Sequence, residues 1–214
     1  MKEEIFDSLK KALFEYREID AKKMVEESIK QDINPIETID VLVQAISKIG
    51  EKFGKGELFL PDLMLAAKTM QATMPILEDE LRKKGLKRES LGRVVIGTVY
   101  GDLHSIGKNM VATLLNSAGF EVIDLGVNVT SDRFIEEVKK NMPDILAMSS
   151  LLTTTVTEQQ KVIKYLIEKG LRDKVKIIVG GGPVTEEFAK EIGADGYEPT
   201  AVLAVDLAKR LLKK

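Results

Sequence analysis

The spacing of apolar residues divides the chain into two parts near residue 88. In the first part they recur every three or four positions, as on one face of a helix, without strand-like alternation. This spacing predicts four amphipathic helices, over residues 5–16, 21 to about 33, 35 to about 54, and 61 to about 85. Four helices with short connections indicate a small antiparallel bundle, which we assign to a first domain at residues 1–88.

Proline positions refine these helices. Asn34 followed by Pro35 is typical of a helix start, because asparagine caps a first turn and proline suits the first helical position. Pro61 opens the fourth helix. Pro75 lies inside that helix, where proline lacks the N–H of a helical hydrogen bond, so we expect the helix to kink or end early there.

From Leu91 onward the pattern changes to short β-branched runs that alternate with amphipathic stretches, as in parallel βαβ units. Continuous apolar runs within them suit strands buried on both faces. The predicted strands cover residues 93–98, 121–125, 144–149, 176–179 and 196–197. We therefore expect an α/β domain at residues 89–214 with a doubly wound, flavodoxin-like (Rossmann-type) five-stranded parallel sheet. The polar segment 87–92 is the expected hinge between the domains.

Charge and composition exclude several classes of function. The chain has 32 basic and 34 acidic residues and a net charge of −2, so no basic surface for nucleic acid is expected. It has no cysteine, which excludes disulfides, thiolate metal sites and a cysteine nucleophile. The charged segment 1–16 is unlike a signal peptide, and no apolar run reaches membrane-spanning length. We expect a cytoplasmic protein with neither nucleic acid nor membrane as a partner.

Three predicted loops at the carboxyl ends of the strands, where doubly wound sheets bind ligands, are unusual. The first contains His104, the only histidine in the chain, two residues after Asp102. The second, residues 149–155, is rich in hydroxyl groups, and the third, residues 180–182, consists of three glycines. Each feature alone also has a structural explanation: a solvent-facing histidine, a threonine that caps a helix, and a tight turn.

Together the three loops resemble the cobalamin-binding module shared by methionine synthase, the mutases and the corrinoid proteins of methyl-transfer systems. That module has the pattern DxHxxG, then SxL, then GG. Here the pattern falls, in order and at the typical intervals, on residues 102–107, 149–151 and 180–181. Ser105 stands where the family often has an acidic residue. The stretches 101–109 and 122–127 look most like the methionine synthase version.

The helical part resembles the cap bundle that precedes the cofactor domain in methionine synthase and in stand-alone corrinoid proteins. The resemblance rests on residues 52–61 and their continuation through 65–67 and Met70. It implies that Phe59 covers the upper face of the cobalt. Core packing is the alternative, since methionine and phenylalanine are common core residues. This alternative applies to Phe59, Met64, Met70 and Met74.

By this resemblance, the first loop supplies the cobalt ligand. His104 is the implied lower axial ligand, since a neutral imidazole is a natural nitrogen ligand for such a metal. Asp102 would hold the other ring nitrogen and so fix the tautomer. Thr155 falls where the family places a hydroxyl behind that aspartate. The implied catalytic residues are therefore Asp102, His104 and Thr155, with His104 as the metal ligand.

The same resemblance implies a pocket for the nucleotide tail of the cofactor. Ser149 would hydrogen-bond to the base of the tail, Leu151 would pack on it, and Gly180 and Gly181 would leave room for it. The full implied cofactor-binding set is Gly101, Asp102, Leu103, His104, Ser105, Ile106, Gly107, Ser149, Leu151, Thr153, Gly180, Gly181 and Phe59.

The resemblance implies a corrinoid carrier protein that is not a complete enzyme alone. Such a protein binds cobalamin or a related corrinoid, accepts a methyl group on cobalt from a substrate-specific methyltransferase and passes it to a second methyltransferase. A reductive activator is a further implied partner. The residues leave the methyl donor open among methylamines, methanol, betaines and aryl methyl ethers. They also leave open the acceptor, the corrinoid variant and the oligomeric state.

Three other functions compete with this interpretation. A mutase-type subunit would need a large barrel domain for its substrate, for which the chain has no length left. A cobalamin sensor would need a DNA-reading segment, which neither charge nor motif supplies. A response-regulator-like domain would leave the loop of His104 unexplained. A methyl carrier is therefore the function that we expect.

Overall fold

The computed structural model describes residues 1–86 and 89–213. The chain divides into two compact units, Met1–Glu89 and Ser90–Lys214. Residues 87–88 of the predicted hinge lie outside the described residues. None of the helices in the described ranges has the length and apolar character that a membrane span requires.

The described part of the first unit confirms the four predicted helices. They are α1 (Lys2–Phe14), α2 (Glu18–Lys30), α3 (Pro35–Gly54) and α4 (Leu60–Lys83). Helix α1 packs against α2 and α3, and both of these pack against α4. Their apolar faces form a core in which side chains such as Leu9, Leu42 and Met70 are completely buried. Burial of one such side chain contributes about 1.5–3 kcal/mol, so this unit has a substantial core of its own.

One helix start agrees with the expected signal, and two features differ. The Asn34 side chain accepts a hydrogen bond from the Ile36 amide at 3.0 Å, with Pro35 at the first helical position. Pro75 does not end α4, because one missing N–H is outweighed by the buried contacts of the turns that follow it. Helix α2 ends three residues earlier than predicted, and Asp32 then adopts a left-handed conformation with φ of 52°.

The second unit contains a parallel sheet with the order β2-β1-β3-β4-β5 in its described residues. The strands are β1 (Arg93–Thr98), β2 (Glu121–Asp124), β3 (Ile145–Ser149), β4 (Lys176–Gly180) and β5 (Gly196–Tyr197). The helices are α5 (Ile106–Ala118), α6 (Ser131–Asn141), α7 (Thr157–Glu168), α8 (Glu186–Ile192) and α9 (Ala201–Leu211). This order is flavodoxin-like, as predicted. Successive strands are added on one side of β1 and then on the other, and such folds bind ligands at this switch, between β1 and β3.

The register of the three central strands places small side chains at their carboxyl ends. Thr98 pairs with Ser149, and Ser149 pairs with Gly180. Paired residues of parallel strands share one face of the sheet. The opposite face carries larger side chains, including Val95, Met148 and other members of a core that also includes the fully buried Phe134. One face of the sheet therefore offers space at its carboxyl edge.

Candidate functional site

Asp102 is the centre of the loop between β1 and α5. Its carboxylate is completely buried and accepts hydrogen bonds through both oxygens. Oδ1 accepts from the amide of His104 at 3.0 Å and contacts His104 Nδ1 at 2.7 Å. Oδ2 accepts from the amides of Leu151 and Leu152, at 2.7 and 3.2 Å, and from the Thr155 hydroxyl at 3.0 Å. One carboxylate thus joins the first and second predicted loops.

These hydrogen bonds determine the charge of Asp102. Burial by itself raises the pKa of this carboxyl group. The amides of His104 and Leu151, the His104 ring and the Thr155 hydroxyl outweigh burial, because they stabilise the ionised form, and the pKa falls well below its ordinary value. Asp102 is therefore an ionised, buried acceptor at neutral pH.

The position of Asp102 fixes the tautomer of His104. An ionised carboxylate only accepts hydrogen bonds, so the proton of a neutral ring lies on Nδ1 and the lone pair on Nε2. The His104 side chain is 51% exposed. Its carbonyl accepts a hydrogen bond from Thr98 Oγ1 at 2.9 Å, which ties the backbone of the loop to the end of β1. His104 thus presents an accessible nitrogen ligand from a fixed loop.

The second loop contains a buried hydroxyl pair. Thr155 Oγ1 lies 2.8 Å from Ser150 Oγ, and both side chains are buried. Because Thr155 donates its proton to Asp102, Ser150 donates to Thr155. Ser150 was missed at the sequence level, since it occupies the unspecified position of the SxL pattern; the second of two adjacent serines was the available signal. Thr153 is exposed, and neither it nor Thr155 caps α7, whose N-cap residue is Val156.

The two glycines of the third loop have different surroundings. A Cβ on Gly180 would meet no atom within 4 Å, so this position faces open space. A Cβ on Gly181 would lie 1.7 Å from the Ser150 carbonyl oxygen, and its φ of 130° also disfavours a side chain. Gly181 is therefore required by the close approach of the second loop, whereas Gly180 leaves room beside Ser149.

Apolar side chains are exposed around His104. Leu103 is 72% exposed, and the other large apolar residues exposed in these two loops and at the start of α5 are Tyr100, Ile106, Leu151 and Leu152. A group of exposed apolar side chains around convergent polar groups is typical of a ligand site. Their position suits a broad ligand with apolar edges. Gly101 and Ser105 complete the loop of His104, and Gly107 lies in the first turn of α5. Ser105 is the N-cap residue of α5 without a side-chain cap bond.

Phe59 lies in the first unit as the N-cap residue of α4 and is 71% exposed. Its amide donates a hydrogen bond to Asp62 Oδ2 at 2.7 Å, and Asp62 Oδ1 accepts from the Tyr16 hydroxyl at 3.0 Å. Met64 is exposed too, whereas Met70 is completely buried. The core-packing alternative thus holds for Met70 and not for Phe59.

Comparisons with known proteins agree with this geometry. Models of the B12 binding domain match residues 92–206 and residues 5–78. The trimethylamine corrinoid protein 2 of Methanosarcina mazei is 42% identical over 99% of this chain and 98% of its own length. The chain belongs to the B12-binding corrinoid proteins of methyltransferase systems.

Two further matches extend over nearly the whole chain or all of it. The dimethylamine corrinoid protein of Methanosarcina barkeri is 44% identical over 99% of each chain. The crystal structure of the methanol:cobalamin methyltransferase complex MtaBC from the same organism matches with a TM-score of 0.85 and 29% identity, over all of this chain and 81% of that one. The cofactor of this corrinoid protein is therefore cobalamin or a related corrinoid.

The residues present fit this cofactor. His104 Nε2 is accessible and carries a lone pair, and exposed apolar side chains lie in its own loop, at the start of α5 and in the second loop. Gly180 borders open space beside Ser149, whose side chain makes no hydrogen bond among the described residues. A corrinoid needs a nitrogen ligand, an apolar bed and a slot for its tail. This corrinoid protein has residues suited to all three needs.

Proposed function

We propose that this corrinoid protein carries methyl groups, with His104 as the protein ligand of the cobalt. The observation that carries the proposal is the accessible Nε2 of His104, held through Nδ1 by the buried, ionised Asp102. The similarity over the full length to trimethylamine and dimethylamine corrinoid proteins supports the methyl-carrying role.

The chain's own residues would control the proton on the imidazole. When bound, the corrinoid supplies a cobalt centre that carries the methyl group between two enzymes. His104 Nε2 either binds the metal or takes up a proton. Asp102 accepts the Nδ1 proton of the ring, and Thr155 and Ser150 supply hydrogen bonds behind the carboxylate. His104 Nε2 would therefore hold either the cobalt or a proton, because both require the same lone pair.

The remaining site residues would bind the cofactor. Leu103, Ile106 and Leu151 would form its apolar bed, while Gly180 and Ser149 would border the tail. Gly101, Ser105, Gly107 and Gly181 would shape the loops, Thr153 would line their exposed side, and Phe59 would cover the cobalt from the first unit.

The proposed partners are a substrate-specific methyltransferase, a second methyl-accepting methyltransferase and a reductive activator. The crystal structure of a methanol:cobalamin methyltransferase complex among the matches supports the first of these. We also propose a cytoplasmic location, in keeping with the absence of a membrane span from the described helices.

Reconstitution tests the proposal. Protein incubated with hydroxocobalamin should retain about one corrinoid per chain, and His104→Ala should lose the spectrum of a protein-ligated cobalt. Ile167→Ala, at an exposed position of α7, is the control and should behave as the wild type. A colourless protein, or an unchanged coordination spectrum in His104→Ala, would refute the assignment.

A further inference from the structure

Lys108 is a buried lysine in the first turn of α5, immediately after the loop of His104. Its side chain is 1% exposed. Its ammonium group donates to Asp124 Oδ1 and Oδ2, at 2.7 and 2.5 Å, and to Asn109 Oδ1 at 2.7 Å. All three donors of the ammonium group are therefore satisfied.

This placement of Lys108 is energetically unfavourable without a compensating contact. Removing an ammonium group from water is costly, and the first turn of a helix carries partial positive charge. Asp124, at the end of β2, provides the compensation, and its Oδ1 also accepts from the Gly126 amide at 2.9 Å. The ion pair thus joins α5 to the end of β2, where the loop between β2 and α6 begins.

That same loop also contacts the other side of the His104 loop. Asn128 Oδ1 accepts from the Gly101 amide at 2.8 Å, and the Asn128 amide donates to the Asp102 carbonyl at 2.9 Å. Asn128 adopts a left-handed conformation with φ of 56°, which asparagine tolerates better than most residues. Its side chain and backbone therefore both hold the residues that precede His104.

Lys108, Asp124 and Asn128 together form a brace around the loop of His104. The pair of Lys108 and Asp124 fixes the residues after the histidine, and Asn128 fixes the residues before it. Neither contact involves the imidazole or the Asp102 carboxylate. The brace therefore acts on the backbone that carries the ligand.

We infer that the brace sets the position of His104 and so its affinity for cobalt, which makes Lys108, Asp124 and Asn128 positioning residues. The inference rests on the proposed role of His104. A loop fixed at both ends loses less freedom when its imidazole binds the metal, because it is already ordered. Loosening either end shifts the equilibrium toward the histidine-free state, while the cofactor can still be bound through the tail and the apolar bed.

The test is electron paramagnetic resonance of the reconstituted Co(II) form of protein labelled with ¹⁵N-histidine. A bound His104 then splits the cobalt signal in the ¹⁵N pattern, which the cofactor's own base cannot produce, and the term nitrogen splitting refers to that pattern. Lys108→Met keeps length and suits burial, and Asn128→Gly keeps the left-handed conformation. The matched control is Asp195→Asn, which disrupts an ion pair with Arg172 and a bond from the Ile177 amide at the amino end of β4.

The measured quantity is the pH at which half of the protein has lost the nitrogen splitting. We expect this midpoint to rise by about one pH unit in Lys108→Met and in Asn128→Gly, equivalent to an affinity about tenfold lower, as for the loss of one strong hydrogen bond. The control should keep the wild-type midpoint.

Two negative outcomes are distinguishable. Wild-type midpoints in both variants, with the corrinoid still bound and the wild type showing nitrogen splitting, would overturn the brace alone. A wild type without nitrogen splitting would overturn the role of His104 and the brace with it. If Lys108→Met does not fold, Asn128→Gly, which changes an exposed residue, decides between these outcomes.

Discussion

In the helical unit the buried hydroxyl groups form hydrogen bonds with partners that are near in sequence. Ser28 bonds to the carbonyl of Val25, and Thr73 bonds to that of Met70, each three residues back along its own helix. Thr38 reaches Ser28, ten positions away. These contacts are neutral and local, so they satisfy the polar groups without fixing distant parts of the chain.

In the α/β unit two buried charges have distant partners. Asp102 binds Leu151 and Thr155, 49 and 53 positions away, and Lys108 binds Asp124, 16 positions away. Glu137 is buried too, but its partners, Arg133 and Asn141, lie one turn away on α6. Buried charge alone therefore does not mark the site. Buried charge that joins loops distant in sequence does.

The largest expected effect on stability is that of Asp102→Asn. The amide would present an NH₂ group toward amides that donate, and would leave buried donors unsatisfied. We expect the free energy of unfolding of the α/β unit to fall by about 3–5 kcal/mol. Chemical denaturation followed by circular dichroism measures this loss. A change of about 0.5 kcal/mol or less would contradict the distinction between the two units.

The pH dependence of the free energy of unfolding also tests the role of the buried charge of Asp102. Because the folded pKa of Asp102 is depressed, its contribution to stability is fully present above the unfolded pKa of about 3.9 and is lost as the pH falls toward the folded value. The wild type should therefore lose this contribution as the pH falls below about 4, and Asp102→Asn should lack that component. Parallel stability curves for the two proteins would show that Asp102 is not the group responsible.

The next largest difference is expected within the helical unit. Replacing a core apolar residue should lower the free energy of unfolding more than replacing an exposed one. Met70→Ala removes a completely buried side chain and should lower the free energy of unfolding by about 2–4 kcal/mol. Phe59→Ala removes an exposed side chain and should change it by about 0.5 kcal/mol or less. Thermal or chemical denaturation of both variants measures the difference. Equal losses of unfolding free energy in the two variants would indicate that Phe59 is a core-packing residue after all.

The smallest expected losses of stability are those from replacing one of two buried threonines, Thr155 in the α/β unit or Thr73 in the helical unit. Thr155→Val removes the hydroxyl that links Asp102 and Ser150, and should cost about 1–2 kcal/mol. Thr73→Val removes a local bond to its own helix and should cost about 0.5 kcal/mol. Valine preserves the shape of the side chain in both cases. A larger loss at Thr73 than at Thr155, measured by denaturation, would reverse the expected order.

Elements with strong local signals could be predicted from the sequence. The strands followed from β-branched runs, and the start of α3 followed from Asn34 and Pro35. The proximity of Asp102, His104 and Thr155 was expected only through the family resemblance. Predicted helix ends were less accurate, because a single residue such as Asp32 in a left-handed conformation can end α2.

Other contacts depend on the folded topology and carry no local signal. The partners Lys108 and Asp124 meet only because β2 lies beside β1 in the sheet. In the sequence Asn128 looks like an ordinary turn residue; in the structure its Oδ1 accepts a hydrogen bond from the Gly101 amide. The resemblance implied that Gly181 leaves room for the cofactor, and the fold adds a second reason for this glycine, because a Cβ there would lie 1.7 Å from the Ser150 carbonyl oxygen.

The role of His104 can be tested most directly by isotope labelling, because the chain contains a single histidine. The protein is produced with ¹⁵N-histidine, reconstituted with cobalamin and reduced to the Co(II) form. If His104 binds the cobalt, the nitrogen splitting in the electron paramagnetic resonance spectrum changes from the ¹⁴N to the ¹⁵N pattern. An unchanged ¹⁴N pattern would mean that the cofactor's own base is the ligand, and would contradict the account.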